Sequence, residues 1–345
     1  MVRARRALIV VAVMCASVAA QKSAPSASSY PHLIELYRSG REQEAVDALS
    51  TWLRSQQEEA RDSLLKAFAV SSGAEARRLA ADLRVAAMVH TERAFNELNG
   101  HNNPEFSYQF NLAQSYVQKL TGYDRTSPFI ERWWLYGISR LHIRWEVAAA
   151  RGMCKLAHAT IGDTAELLLA CGATEEIGWA LEHNGDGTSR MKGDLKDAER
   201  QFRSAVAIKP TLVEARLRLG RVLTLRTDPD GMKTLEAIVP GSDDGFSYLA
   251  RLFEGDALER SGDSAGAERR YQAAIALLPT AQSAYIALAH VRHARGARSE
   301  AAADVAALAR DRTLPDTSEP WFWYARGAAW RAGGYAEELR SIVRQ

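Results

Sequence analysis

Apolar residues along this chain recur at intervals of three and four, the period of a buried helix face. From Gly73, the positions Ala76, Leu79, Ala80, Leu83 and Ala87 fall on one such face. Asn99 to Pro104 is a cluster of turn formers, and beyond it Phe110, Ala113, Tyr116 and Leu120 resume the period. Two long helices are therefore predicted between Gly73 and about Leu120. Thr126-Ser127-Pro128 is a helix-start signal, followed by a long amphipathic run from Phe129 towards Thr160 that carries Trp133, Trp134, Tyr136 and Trp145. Ala165 to Leu181 makes the next helix, with Gly172 inside it where close packing calls for a small residue. His183 to Ser189 reads as a loop. Ala and Leu dominate the aliphatic residues and prolines number 10, which favours helix throughout.

Beyond that loop the pattern repeats. Gly193 is followed by Ala198, Phe202, Ala205 and Pro210, and Gly262 by Ala267, Tyr271, Ala274 and Pro279. Both steps run five, four, three and five residues. A third copy runs Gly296, Ala301, Val305 and Leu308, and a weaker one runs Gly40, Ala45, Leu49 and Trp52. Gly262 and Gly296 lie 34 residues apart, and Gly193 and Gly262 lie 69 apart, about two such units. This spacing resembles the tetratricopeptide repeat family. The resemblance rests on residues 193 to 312, with echoes at 30 to 60 and 320 to 344.

The resemblance implies an all-α fold, a right-handed superhelical solenoid of antiparallel helix pairs with a diverged N-terminal half. Small residues (Gly255, Ala289, Ala198, Ala267, Ala301) would sit where paired helices approach, and Phe202, Tyr271 and Val305 would be the wedges between them. Ala205, Ala274 and Leu308 would face the next unit. Gly327 and Gly334, seven apart, suggest a last unit that caps the stack. The expected organisation is a leader at 1–20, a spacer at 21–29, diverged helical repeats at 30–182, a loop at 183–192 and the array with capping helices at 193–345. In this family the first helix of each pair lines the concave face. That places Leu217, Arg221, Thr224, Leu252, Asp256, Glu259, Ile286, His290, His293, Tyr324 and Arg331 along a groove. Its mixture of apolar and charged residues suits a protein or peptide segment.

Charge and targeting alter this picture little. Arg3, Arg5 and Arg6 precede an apolar run, and Val18-Ala19-Ala20 offers small residues for cleavage before Gln21. The apolar segment from Ala7 to Ala20 falls short of the roughly 20 residues that span a bilayer, so a cleaved leader is expected rather than stable membrane insertion. The mature chain would then be periplasmic or secreted, from a bacterium. Loss of three arginines from 44 basic residues leaves 41 against 42 acidic ones, a balance that gives no general attraction to nucleic acid. Export also leaves two cysteines in an oxidising compartment. Cys154 and Cys171 lie on successive predicted helices, and a disulfide and two buried thiols both suit them.

No catalytic motif stands out, and neither a cofactor nor a metal is expected. His290 and His293 share a helix face, but no third ligand is in evidence, so a metal-dependent hydrolase is the weakest reading. Residues from Asp186 onward do not follow the ligand pattern of a calcium loop. His90-Thr91-Glu92 reads as a packed or solvated helix turn. An interaction scaffold is the expected function, with a glycan-type binding module on Trp133-Trp134 or Trp321-Trp323 as the alternative.

Overall fold

The computed structural model describes residues 29–98, 103–184, 193–239, 241, 244–310 and 319–344. The leader at 1–20, nearly all of the 21–29 spacer and the loop from 185 to 192 lie outside them. All regular elements among the described residues are helical.

The chain runs through α1 (Ser29–Arg38), α2 (Glu42–Ser50), α3 (Arg54–Val70), α4 (Gly73–Asn96) and α5 (Pro104–Tyr123). Next come α6 (Pro128–Ile143), α7 (Val147–Ile161), α8 (Ala165–Asn184), α9 (Leu195–Ile208), α10 (Val213–Leu225) and α11 (Asp230–Glu236). It ends with α12 (Asp244–Arg260), α13 (Ser264–Leu277), α14 (Ser283–Ala294), α15 (Arg298–Arg310), α16 (Pro320–Ala325), a 3₁₀ turn (Gly327–Arg331) and α17 (Ala332–Arg344). Successive helices pair as hairpins: α1 with α2, α4 with α5, and then α6/α7 through α14/α15. Each hairpin packs on the next, with α3 laid against α4 and α5.

One turn geometry joins the two helices in five of these hairpins. At Gly262 the residue adopts φ +87°, its amide donates to the Glu259 carbonyl at 3.0 Å, and the Asp263 amide donates to the Leu258 carbonyl at 2.9 Å. These two bonds satisfy carbonyls that a helix end would otherwise leave open. Gly40 and Gly296 repeat the pattern with φ +82° and +89°. Trp145 and Thr227 form it too, with φ +60° and +58°, although side chains are unfavourable there. The turn at Trp145 divides the run expected from Phe129 to Thr160 into two antiparallel helices.

Glycine in the first helix of a pair admits a bulky residue from the second. A Cβ on Gly172 would lie 2.5 Å from the Phe202 ring, one on Gly220 2.7 Å from Leu235, and one on Gly255 2.3 Å from Tyr271. The wedges Phe202 and Tyr271 are thus buried as the repeat requires. Val305 is not: it is 55% exposed, because the described residues of α15 pack chiefly on α14 and no further hairpin covers them. Gly193 differs from its counterpart at 262, being pressed against the backbone of Gly178 and Trp179 in α8.

The C-terminal segment departs most from expectation. Residues 319–344 do not stack beyond α15 as a cap. They turn back along the inner face of the solenoid, and α17 packs against α6 and α4. Tyr335, Ala336, Leu339 and Val343 join the same core as Leu33, Leu83, Trp133 and Ile138. The ion pair between Arg344 and Glu42 ties the last helix to the first hairpin.

Candidate functional site

The returning segment meets the first helix of five consecutive pairs in turn. Glu319 caps α16 through the Trp321 amide and accepts from the Gln282 and Ser283 amides at the start of α14. Trp321 lies edge-on to Phe253 of α12. Tyr324 reaches α10 and α8, its hydroxyl donating to Glu176 and its backbone carbonyl accepting from Arg218 at 3.0 Å. Gly327 follows, with φ +59° and with Ile177 and His142 so close that a Cβ would clash with both. The Ala328 amide then donates to His142 Nδ1 at 3.0 Å on α6. We call residues 319–344 the strap.

A buried charge cluster holds the strap's centre. Arg218 donates to Glu214 at 2.9 Å and to Glu176 at 2.7 Å, as well as to the carbonyls of Tyr324 and Gly327. Burial works against its positive charge, but Glu176 and Glu214 outweigh that and hold its pKa above the ordinary value. Arg331 donates to Glu214 at 2.7 Å from the strap. Burial, with a contribution from Glu176, raises the Tyr324 pKa well above normal, so the hydroxyl stays a donor.

His142 is fully buried and donates through Nε2 to Thr174 Oγ1, which itself donates to the Ala170 carbonyl. That leaves Nδ1 as the acceptor for Ala328 and fixes the tautomer. Burial, aided by the nearby Arg218, lowers its pKa to about 3. His90 is a second buried histidine, set between Tyr30 and Gln109 at 3.0 and 2.7 Å, with burial lowering its pKa to about 4. Of the packed and solvated readings of the turn at His90, the packed one describes it, since the imidazole is fully buried.

The expected groove residues fall into three sets. Leu217, Thr224, Leu252 and Tyr324 are buried, the last as part of the strap rather than of the wall. Arg221 and Arg331 are largely buried beside the strap. Asp256, Glu259, Ile286, His290 and His293 remain accessible, with Ile286 57% exposed. His290 Nδ1 meets Glu259 Oε1 at 2.7 Å. Among the described residues no group of three His, Cys, Asp or Glu is placed to hold a metal ion. The strap itself was missed in the sequence, because Gly327 and Gly334 imitate the repeat spacing.

Other candidates also find their places. Trp133 and Trp134 have no exposed surface, so they cannot stack on a sugar, whereas Trp321 and Trp323 are half-buried. Cys154 and Cys171 are joined as a disulfide with Cα atoms 5.7 Å apart. A cleft of about 510 Å³ adjoins them between α7, α8 and α9, where Arg151 pairs with Glu175 and His158 with Asp163. No helix among the described residues is long and apolar enough to cross a membrane.

Residues 187–307 match the model of a family described as a tetratricopeptide repeat-like domain. The array is a tetratricopeptide repeat domain. No curated protein matches the chain. Among solved structures, the chain is similar to a tetratricopeptide repeat protein from Parabacteroides merdae, at 12% identity over 75% of this chain and 90% of that one, with a TM-score of 0.46. It is also similar to MamA MSR-1 C2, at 15% identity over 52% and 96% of the two chains, with a TM-score of 0.37. A third is the anaphase-promoting complex hetero-tetramer Cut9–Hcn1, at 14% identity over 92% and 62%, with a TM-score of 0.39. The tetratricopeptide fold supports a general role in protein–protein interaction.

Proposed function

We propose that this chain is an exported, non-enzymatic tetratricopeptide scaffold of a bacterial envelope or secretome, and that a partner's peptide segment binds the part of its concave face left open by the strap. The observation that carries this reading is the division of that face. From α6 to α10 the first helices are covered by the chain's own residues, whereas α12 and α14 keep Asp256, Glu259, Ile286 and His290 accessible. Beside them a depression of about 230 Å³ is lined by Leu252, Asp256, Ser283, Ala287 and Trp321. The exposed Ile286 and Phe322 supply apolar anchors, and the acidic residues set the polarity of a complementary segment.

Two measurements test the two parts of the proposal. A crosslinker placed at Ile286 in cells of the source organism should trap a discrete partner. The double change Ile286→Glu and Phe322→Glu should abolish that recovery, while Leu53→Glu with Val70→Glu, on a remote exposed surface, should not. Loss with neither pair, or with both, would sink the groove assignment. For export, the mass of the chain from cell fractions should correspond to a start at Gln21 outside the cytoplasm; a full-length cytoplasmic species would refute it.

A further inference from the structure

Above the buried cluster lies a smaller cavity of about 200 Å³, walled by Trp145, Trp179, Trp321, Tyr324, Ile177, Leu181 and Leu225, with Glu176, Arg218 and Arg221 at its polar side. Its size is below that of sites for drug-sized ligands and suits a single ring with one attached group.

Charge selects the sign of that group. Arg218, Arg221 and Arg331 share two carboxylates, Glu176 and Glu214. Arg218 spends its donors on both acids and on two strap carbonyls, and Arg331 is committed to Glu214. The surplus charge therefore resides on Arg221. Its guanidinium lies 4.1 Å from the Phe253 ring centre and 4.9 Å from that of Trp321, and is only 16% exposed. It makes no hydrogen bond among the described residues, and its nearest acid oxygen, on Glu176, is 3.9 Å from Nε. Those Glu176 oxygens are already occupied by Arg218 and Tyr324. Arg221 also borders the neighbouring depression of about 230 Å³, where Asp256 is paired with Arg260. With rings beside it, the guanidinium offers its donors at its edge, and a planar carboxylate matches that edge.

The turn at Trp145 is an independent observation. Three of the five equivalent turns use glycine, for which φ above zero carries no penalty. Here the chain holds a bulky residue at φ +60°, and its indole forms part of the cavity wall. We infer that this cavity is a binding site for a small aromatic carboxylate, read by Arg221 and enclosed by Trp145, Trp179 and the strap's Trp321.

The test uses the mature chain with phenylacetate and its neutral counterpart phenylacetamide, followed by tryptophan fluorescence and calorimetry. Phenylacetate should bind saturably, and at least about tenfold more tightly than the amide. Arg221→Gln should erase that preference. Trp145→Gly should weaken both probes while leaving the thermal midpoint unchanged or higher, a combination that a merely structural role for the indole would not give. Equal binding of acid and amide by the unaltered chain, an absence of saturable binding, or a preference that survives Arg221→Gln would each overturn the inference. The comparison of the two probes needs no variant, so poor folding of Arg221→Gln cannot obscure the result.

Discussion

The hairpins α6/α7 and α12/α13 share one backbone turn but are stabilised differently. In α12/α13, Gly262 makes the turn, Gly255 admits the rigid ring of Tyr271, and the first helix keeps part of its inner face open. In α6/α7, Trp145 makes the turn and Gly137 faces the flexible end of Met153. A disulfide then ties α7 to α8, and the strap covers the inner face of α6. The contrast shows that the same hairpin turn can be held without a glycine when covalent and long-range contacts supply what local packing otherwise would. It also shows why the accessible groove is confined to the second region.

The largest break in this contrast should come from removing the strap's anchor. Arg218→Ala leaves Glu176 and Glu214 buried without their partner, and thermal or denaturant unfolding should show a loss of about 3–5 kcal/mol. Acid should follow. His142 and His90 have pKa values of about 3 and 4 when folded against an ordinary 6.5, so the unfolded chain takes up their protons first. Their full contribution is present above pH 6.5 and is lost progressively as pH falls towards those lower values. At pH 5 the loss is about 2 kcal/mol for each histidine, and His142→Gln should remove about half of that pH dependence in unfolding titrations.

Replacing Cys154 and Cys171 by Ala opens a loop of 17 residues and should cost about 3 kcal/mol, with α6 to α9 gaining hydrogen exchange before α12/α13 does. Smaller effects distinguish the two glycines. Gly255→Ala drives a Cβ into the Tyr271 ring and should cost about 1–3 kcal/mol, whereas Gly137→Ala displaces the flexible thioether end of Met153 and should cost under about 1 kcal/mol. Equal costs would show that ring rigidity does not decide the tolerance. Smallest of all, Gly262→Ala should lose about 1 kcal/mol and Trp145→Gly should change stability by less than that, since relief of the unfavourable φ offsets the entropy of glycine.

The repeats with glycine at the turn were legible because Gly262 and Gly296 are needed for a backbone reason that any such turn shares. Gly172 and Gly255 were also readable as close-packing positions. Trp145 and Thr227 hide the same turn because residue type and conformation disagree there. The strap was illegible for another reason. A helix does start at Pro320, and nothing in local spacing tells a helix whether to stack outward or fold back. Arg218 settles that choice, through acids and carbonyls far from it along the chain. Hence the expected groove residues do lie on the first helices or the strap, but about half of them are buried beneath or beside the strap.

The clasp between Glu42 and Arg344 bears on how the molecule comes to be made. An open array of repeats contacts only its neighbours, so it can condense unit by unit as the chain lengthens and can fray from either end. Here Leu33 and Leu83 share a core with Leu339 and Val343, so the first hairpins stay incomplete until the last helix emerges. Contacts of such sequence separation slow folding and couple the first hairpins to the last helix. A nascent chain that still lacks α17 would therefore hold these N-terminal apolar faces uncovered.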